Sequence, residues 1–161
     1  MTLITKADSA DAAELTRIAF TAKRHWGYPE QWIESWGDLL TVQPGFSAKH
    51  ETYAAKVGGR AVGFYALIRV EARLYMEHMW VLPELMGQGI GRALFAHAVE
   101  RAKALGFRSF EIEADPNAEG FYQRMGARRI RTRITEVEGE RRELPVLVCD
   151  TYTKSGERGV Y

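Results

Sequence analysis

The chain has 161 residues, 46% of them hydrophobic, which is enough for one sizeable core and too few for two ordinary domains. Its 22 basic and 21 acidic residues leave a formal charge of +1, so there is no electrostatic case for nucleic acid or an anionic membrane as partner. One cysteine, Cys149, excludes an internal disulfide framework and a cysteine-rich metal site, and fits a reducing, cytoplasmic setting. No metal is expected. The opening "MTLITKADSADAAEL" has no basic stretch followed by an apolar one, and no run approaches about 18 apolar residues, so neither an export signal nor a membrane span is expected.

Along the chain, residues 3–6 read as a short strand, and Asp8 or Ser9 offers an N-cap to the helical pattern Ala12, Leu15, Ile18, Ala19. The segment "GYPEQWIESWGDLL" is expected to form one short amphipathic helix opening at Pro29, with Trp32, Ile33, Trp36 and Leu39/Leu40 at helical spacing. "ETYAAKV" and "AVGFYALIRV" are extended runs joined by Gly58-Gly59, a hairpin dipeptide, and "LYMEHMWVL" is a third that stops where Pro83 removes a ladder donor. Next, Leu94, Phe95, Ala98, Ala102 and Leu105 keep a helical period closed by Gly106. "FRSFEIEAD" is strand-like, "PNAEGFYQRMG" is a short helix ending at Gly126, and "RRIRTRITEVEGERRELPVLVCDTY" reads as two strands around Gly139. This order predicts one α+β domain over residues 1–153, followed by a polar tail over 154–161. Its sheet is mixed but mostly antiparallel, with about seven strands, about four flanking helices, and a parallel pairing across the long helix.

The stretch "LPELMGQGIGRAL" sets Gly87, Gly89 and Gly91 at alternate positions before that helix. A P-loop requires Lys-Ser or Lys-Thr after its last glycine, and Gly91 is followed by Arg92-Ala93. A dinucleotide fingerprint fails in both registers, because its third glycine falls on Arg92 or on Leu94. Two readings stay open: a flexible strand-to-helix turn, or a backbone left bare so that phosphate can approach free N–H groups at a helix start.

The flanking residues separate them. "MWVLPELMGQGIGRAL" resembles the acetyl-CoA-binding motif of the GNAT N-acetyltransferase superfamily, Arg/Gln-x-x-Gly-x-Gly/Ala after a Val-x-Pro strand end, aligned here as Met86-Gly87-Gln88-Gly89-Ile90-Gly91. Downstream, "ADPNAEGFYQRMGAR" is similar to the family's second element through Asn117, Gly120 (one place off), Phe121-Tyr122 and Gly126. The chain departs from the pattern at Met86, which offers no side-chain donor to pyrophosphate where the family has Arg or Gln. Arg92 either adds a charge-assisted phosphate contact or is a solvated first-turn arginine.

The resemblance implies a GNAT-like fold, a homodimer, and direct transfer of acetyl from acetyl-CoA, as cosubstrate, to a primary amine of a small molecule or peptide. A non-catalytic acyl-CoA-binding module on the same fold is the alternative. It assigns donor binding to Trp80, Val81, Leu82, Met86, Gly87, Gln88, Gly89, Ile90, Gly91, Arg92, Asn117, Phe121 and Tyr122, with a backbone N–H of Trp80 or Val81 on the acetyl oxygen. An alkylammonium with a pKa of about 10.4 is only about one part in 2,500 neutral at pH 7, so the reaction needs a base. Glu77 and His78 are adjacent on a strand and point to opposite faces; Glu77 is the candidate base and His78 the alternative, unless Glu77 is paired with a basic sheet neighbour. Tyr122 stands where the family's acid stands, to protonate the leaving thiolate, unless Phe121-Tyr122 are simply core aromatics. Asn117 would bond CoA, cap its helix, or do both.

The family's acceptor pocket is walled by the first helices and the last hairpin. That makes Trp26 and Tyr28 candidates to hold the amine's stem or cation, and His25 a weaker base. Trp32 and Trp36 read as core. Arg129, Arg131 and Arg133 alternate on a strand ahead of Glu136, Glu138, Glu140 and Glu143 in the hairpin, a pattern expected to form cross-strand ion pairs, with an acidic acceptor site as the alternative.

Overall fold

In a computed structural model, which describes residues 1–152, seven strands form one sheet in the order β1-β2-β3-β4-β5-β7-β6. The tail expected over 154–161 lies outside the described residues. The strands are β1 (Thr2–Lys6), β2 (Glu51–Val57), β3 (Arg60–Val70), β4 (Arg73–Val81), β5 (Ser109–Glu113), β6 (Arg128–Val137) and β7 (Glu140–Asp150). The described helices are α1 (Ala12–Arg24), α2 (Glu30–Ser35), α3 (Gly37–Leu40), α4 (Phe46–Lys49), α5 (Ile90–Ala104) and α6 (Glu119–Arg124). All strand neighbours are antiparallel except β4 and β5.

The helix count is therefore six where about four were expected, because the second helix is split and α4 is a single turn too short to leave a periodic signal. Pro29 is not the first helical residue but the extended N-cap of α2, at φ −54° and ψ 141°. Trp36 leaves helical geometry directly before Gly37, the weakest helix former of the segment, and so separates α2 from α3. Asp8 starts the first helical region through a capping box: its side chain accepts from the Ala10 N–H while Asp11 accepts from the Asp8 N–H.

Strand β3 is buried at every position from Ala61 to Leu67. Side chains on a strand alternate between faces, so both faces must be covered, and α1 and α5 are the helices that pack on β3. Leu15, Ile18 and Ala19 of α1, Leu94, Phe95 and Ala98 of α5, and Phe64 and Leu67 of β3 belong to one continuous core. At an apolar burial worth about 25 cal/mol per Å², the leucine, isoleucine and phenylalanine side chains among them each contribute roughly 1.5–3 kcal/mol.

Two features of β4 prepare the site. Ala66 pairs with His78 but the next residue, Leu67, pairs with Met76, so Glu77 is the extra residue of a β-bulge. On its other edge β4 meets β5 through one bridge, Tyr75 to Glu111, whereas β5 pairs with β7 over its whole length from Ser109 to Glu113. Beyond that bridge the two strands separate.

The arginines of β6 form ion pairs, but not with the acids of the hairpin. Arg129 binds Glu119 of α6 at 2.6 Å, Arg131 binds Glu111 at 2.9 Å, and Arg133 binds Glu113. With β7 between β6 and β5, strands about 4.8 Å apart put the β5 carboxylates roughly 10 Å away, within the reach of a long arginine side chain.

At Gly63 on β3 both β4 and α5 approach the strand closely. A Cβ there would lie 2.7 Å from the Trp80 carbonyl oxygen and 3.1 Å from Leu94. Gly63→Ala is expected to lower stability by about 1–3 kcal/mol in chemical denaturation, since backbone and helix must both shift. An unchanged midpoint would mean that this approach is not tight.

Candidate active site

The gap between β4 and β5 opens into a cleft of about 870 Å³. One end lies under the glycine loop. Gly87 (φ 79°) and Gly89 (φ 86°) take left-handed backbone that side chains resist, and a Cβ at either would meet nothing within 4 Å, so the loop surface is open. Gly89 is the N-cap of the fifteen-residue helix α5; no side chain caps it and no acid stands in the first turn. The first N–H groups of that helix are thus left for an anion. Gly91 serves a different purpose: a Cβ there would come within 3.3 Å of the Phe121 ring, so its bareness lets α6 pack against α5.

Of the donor residues named from the sequence, Trp80, Val81, Met86, Gly87, Gly89, Gly91, Arg92, Asn117, Phe121 and Tyr122 line the cleft. Three do not. Leu82 is buried in the core and its N–H is spent on the Val62 carbonyl. The Ile90 side chain also points into the core, leaving only its first-turn backbone available, and Gln88 is exposed outside the lining. These positions alternate in or out with the local backbone, which a motif written as consecutive letters does not record.

Glu77 and Tyr122 both line the cleft. Glu77 faces the gap and forms no ion pair with a described cation. Glu77 is exposed, yet partial desolvation by the surrounding protein, aided by the Glu113 carboxylate, raises its pKa above the ordinary carboxylate value. Tyr122 is buried against Phe95 and Phe121, with ring centroids at 6.0 and 5.3 Å. Burial and then the Asp115 charge push its phenol well above the usual range, so it stays protonated.

His78 lines the same cleft but is spent structurally. Only 4% exposed, it sits between Phe46 and Phe64 with centroids at 5.7 and 5.3 Å, and its Nδ1 accepts the Trp80 indole N–H at 3.0 Å. Burial pulls its pKa down to about 4, leaving it neutral. Cys149, 3% exposed, has its thiol pushed up to about 11 by burial and by Asp150, which makes it a poor nucleophile.

The far end of the cleft is closed by a network that the sequence did not announce. Lys23 of α1 is buried and donates to Asp115 at 2.7 Å. Asp115 also accepts the Asn117 N–H at 2.8 Å and the Tyr28 hydroxyl at 3.0 Å, and the Tyr28 oxygen in turn accepts from Arg142 at 2.9 Å and from the Asn117 side chain at 3.1 Å. Burial opposes both charges. It wins at Lys23, whose pKa is lowered despite Asp115; at Asp115 the Lys23 charge and the added hydrogen bonds outweigh it, and the carboxyl lies below its usual value. The Tyr28 phenol is pushed up to about 12 by burial and the Asp115 charge.

Tyr28 therefore holds the wall together and does not itself line the cleft, while Trp26 does. His25 is exposed and packs edge-on against Trp26 at 4.9 Å, outside the lining. Asp115, not Asn117, caps the turn before α6. Trp36 is half-buried and packs against the core as expected, but it also lines the cleft with Lys23, Asp115 and Arg142; Trp32, expected in the core, is half-buried and stacks on Tyr28 instead. A lysine on the buried stripe of α1, four residues after Ala19, and the Asx-turn signature Asp115-Pro116-Asn117 were the available signals; nothing in the local sequence marked Arg142.

Known proteins share this fold. The acetyltransferase (GNAT) family profile matches residues 13–127. An uncharacterized N-acetyltransferase of Methanocaldococcus jannaschii is 30% identical over 137 residues, covering 76% of this chain and 58% of that protein's length. Among solved structures, a GCN5-related N-acetyltransferase from Rhodopseudomonas palustris superposes with a TM-score of 0.76 at 19% identity, covering 93% of this chain and 96% of the other. The PaiA N-acetyltransferase of Thermoplasma acidophilum, solved with coenzyme A, gives 0.74 at 17% identity, covering 93% and 99%. The chain belongs to the GNAT acetyltransferase family. Among the described residues no cluster of three or more His, Cys, Asp or Glu could hold a metal ion, and no helix is long and apolar enough to cross a membrane.

The burial of His78 has a measurable effect on stability. Its pKa is about 4 in the fold against 6.5 ordinarily, so as pH falls from about 6.5 to 4 the unfolded chain gains a proton that the folded one does not. Stability is expected to fall over that window by on the order of 3 kcal/mol from this group, with smaller shares of the same sign from His50 and His97. His78→Phe keeps the aromatic packing and should flatten the pH dependence of urea unfolding. A slope equal to that of the parent would place the acid sensitivity elsewhere.

Proposed function

We propose that the protein is an acetyl-CoA-dependent N-acetyltransferase acting on a primary amine of a small molecule or peptide, by direct attack within a ternary complex. One observation carries this reading: the separation of β4 from β5 puts the free start of α5, Glu77 and Tyr122 on a single cleft.

The donor fits what is present. Open glycine backbone and uncapped helix amides suit a pyrophosphate, and Arg92 adds a positive charge at that end. Met86, where the family pattern has Arg or Gln, contributes only apolar surface there, so backbone donors carry the contact. The unpaired edge of β4 around Trp80 and Val81 can bond the pantetheine arm and offer an N–H to the acetyl oxygen as negative charge develops.

Glu77 takes the ammonium proton, through water where the amine does not touch it, and its raised pKa improves the match to an amine at neutral pH. After the amine nitrogen forms the amide bond and the C–S bond breaks, Tyr122, held protonated, donates to the leaving thiolate. Cys149 is buried and has no part as an acyl carrier.

With acetyl-CoA and an amine panel, Glu77→Gln and Tyr122→Phe are each expected to lower kcat by about 10²–10⁴-fold, with CoA affinity by calorimetry retained. The parent's rate should fall as pH drops through the raised Glu77 pKa, and the Gln variant should lose that limb. Because the fold disfavours ionised Glu77, the same Gln variant should melt higher at neutral pH. CoA binding without thiol release from any amine would instead fit a non-catalytic acyl-CoA-binding module.

Gly89→Val places a branched side chain at φ 86° and beside the uncapped helix start. It is expected to weaken CoA binding at least tenfold by calorimetry while thermal unfolding stays cooperative. Undiminished affinity would remove the loop from the donor site.

A further inference from the structure

We propose that the acceptor amine carries its own carboxylate, and that Arg142 is the residue that receives it. This rests on the acetyl-transfer reading above and specifies the substrate of the same cleft.

The aromatic wall at the acceptor end would ordinarily be read as a receptor for a cation. Its ring faces are already taken by cations of the chain. The Arg142 guanidinium lies 5.0 Å from the Tyr28 and Trp36 centroids and 5.8 Å from Trp32, and the Lys23 ammonium lies 4.4 Å from Trp36 and 5.1 Å from Tyr28. A substrate ammonium placed there would meet two like charges.

The charges then separate into matched and unmatched groups. Lys23 is matched by Asp115 at 2.7 Å, and Arg133 by Glu113. Arg142 has no carboxylate partner among the described residues; its one side-chain hydrogen bond goes to the neutral Tyr28 phenol. Stacking and that bond hold the guanidinium still, while four of its five N–H donors are left for other partners. Glu77, in the same cleft, is the acid without a described cation. Arg92 of α5 and Arg124 of α6 also line the cleft without a carboxylate partner among the described residues, but neither stacks on the aromatic wall. At that wall Arg142 is the cation left without a carboxylate, and a ligand complementary to it and to Glu77 is a zwitterion, with its amine toward Glu77 and an anion at Arg142. A carboxylate is the planar group that a guanidinium fork binds through two parallel hydrogen bonds.

The test uses α-, β- and γ-amino acids, each alongside its carboxamide and the matching amine without the acid group, and follows thiol release from acetyl-CoA. Acids are expected to exceed their amides in kcat/KM by about 10- to 100-fold, mainly through KM. Arg142→Gln should bring that ratio close to one, and Arg142→Lys, which keeps the charge but not the fork, should retain part of it. Thermal unfolding and CoA titration of each variant verify that wall and donor site persist. Amides or plain amines used as well as the acids, or a ratio that survives in Arg142→Gln, would overturn the proposal and leave the acetyltransferase reading intact. No turnover with any amine, at undiminished CoA affinity, would overturn both.

Discussion

Between β4 and β5 the ladder is one bridge, Tyr75 to Glu111, and the candidate site residues Glu77 and Tyr122, with the start of α5, line the cleft beyond it. The gap has two local causes. The bulge at Glu77 bends β4, and β5 is only five residues long and fully committed to β7 on its other edge, so it follows β7 rather than β4. Backbone groups on the freed edge of β4 must find water or a ligand, which makes the gap a candidate binding surface by the same rule that makes sheets close elsewhere.

The rest of the fold keeps that gap open and gives it chemistry. α5 packs on β2, β3, β4 and β5 and so aims its uncapped start at the cleft, and Gly63 and Gly91 are the bare positions that allow β4 and Phe121 to close around it. On the opposite side Asp115 is the hub. Its single charge answers Lys23, and its remaining lone pairs take the Asn117 amide and the Tyr28 phenol, joining α1, the loop before α2, the turn before α6 and β7 into one wall. Removing one member of a buried pair of this kind typically costs about 3–5 kcal/mol, so the wall is a structural commitment as well as a surface.

Much of this was legible from residue order. Seven strands, the Gly58-Gly59 hairpin and the long helix closed by Gly106 follow from period and punctuation, and all are present. The glycine loop reads as a phosphate approach, and Gly87 and Gly89 have open, left-handed backbone, which is compatible with that reading. What misled was side-chain direction. Leu82 and Ile90 stand inside the motif yet point into the core, and the β6 arginines reach across β7 to β5 and α6 instead of pairing within their own hairpin.

The sequence by itself determined the class of fold, the family and the helix start that can hold an anion, because these depend on short-range spacing: periods of two and 3.6, turn glycines, and a motif of six consecutive residues. Only the tertiary structure decided which of Glu77 and His78 faces the cleft with a free side chain, and that Lys23, Tyr28, Asp115 and Arg142 meet at all. Those outcomes depend on contacts between residues about 90 to 115 positions apart, on burial, and on which charge finds a partner first. None of these is a property of neighbouring letters.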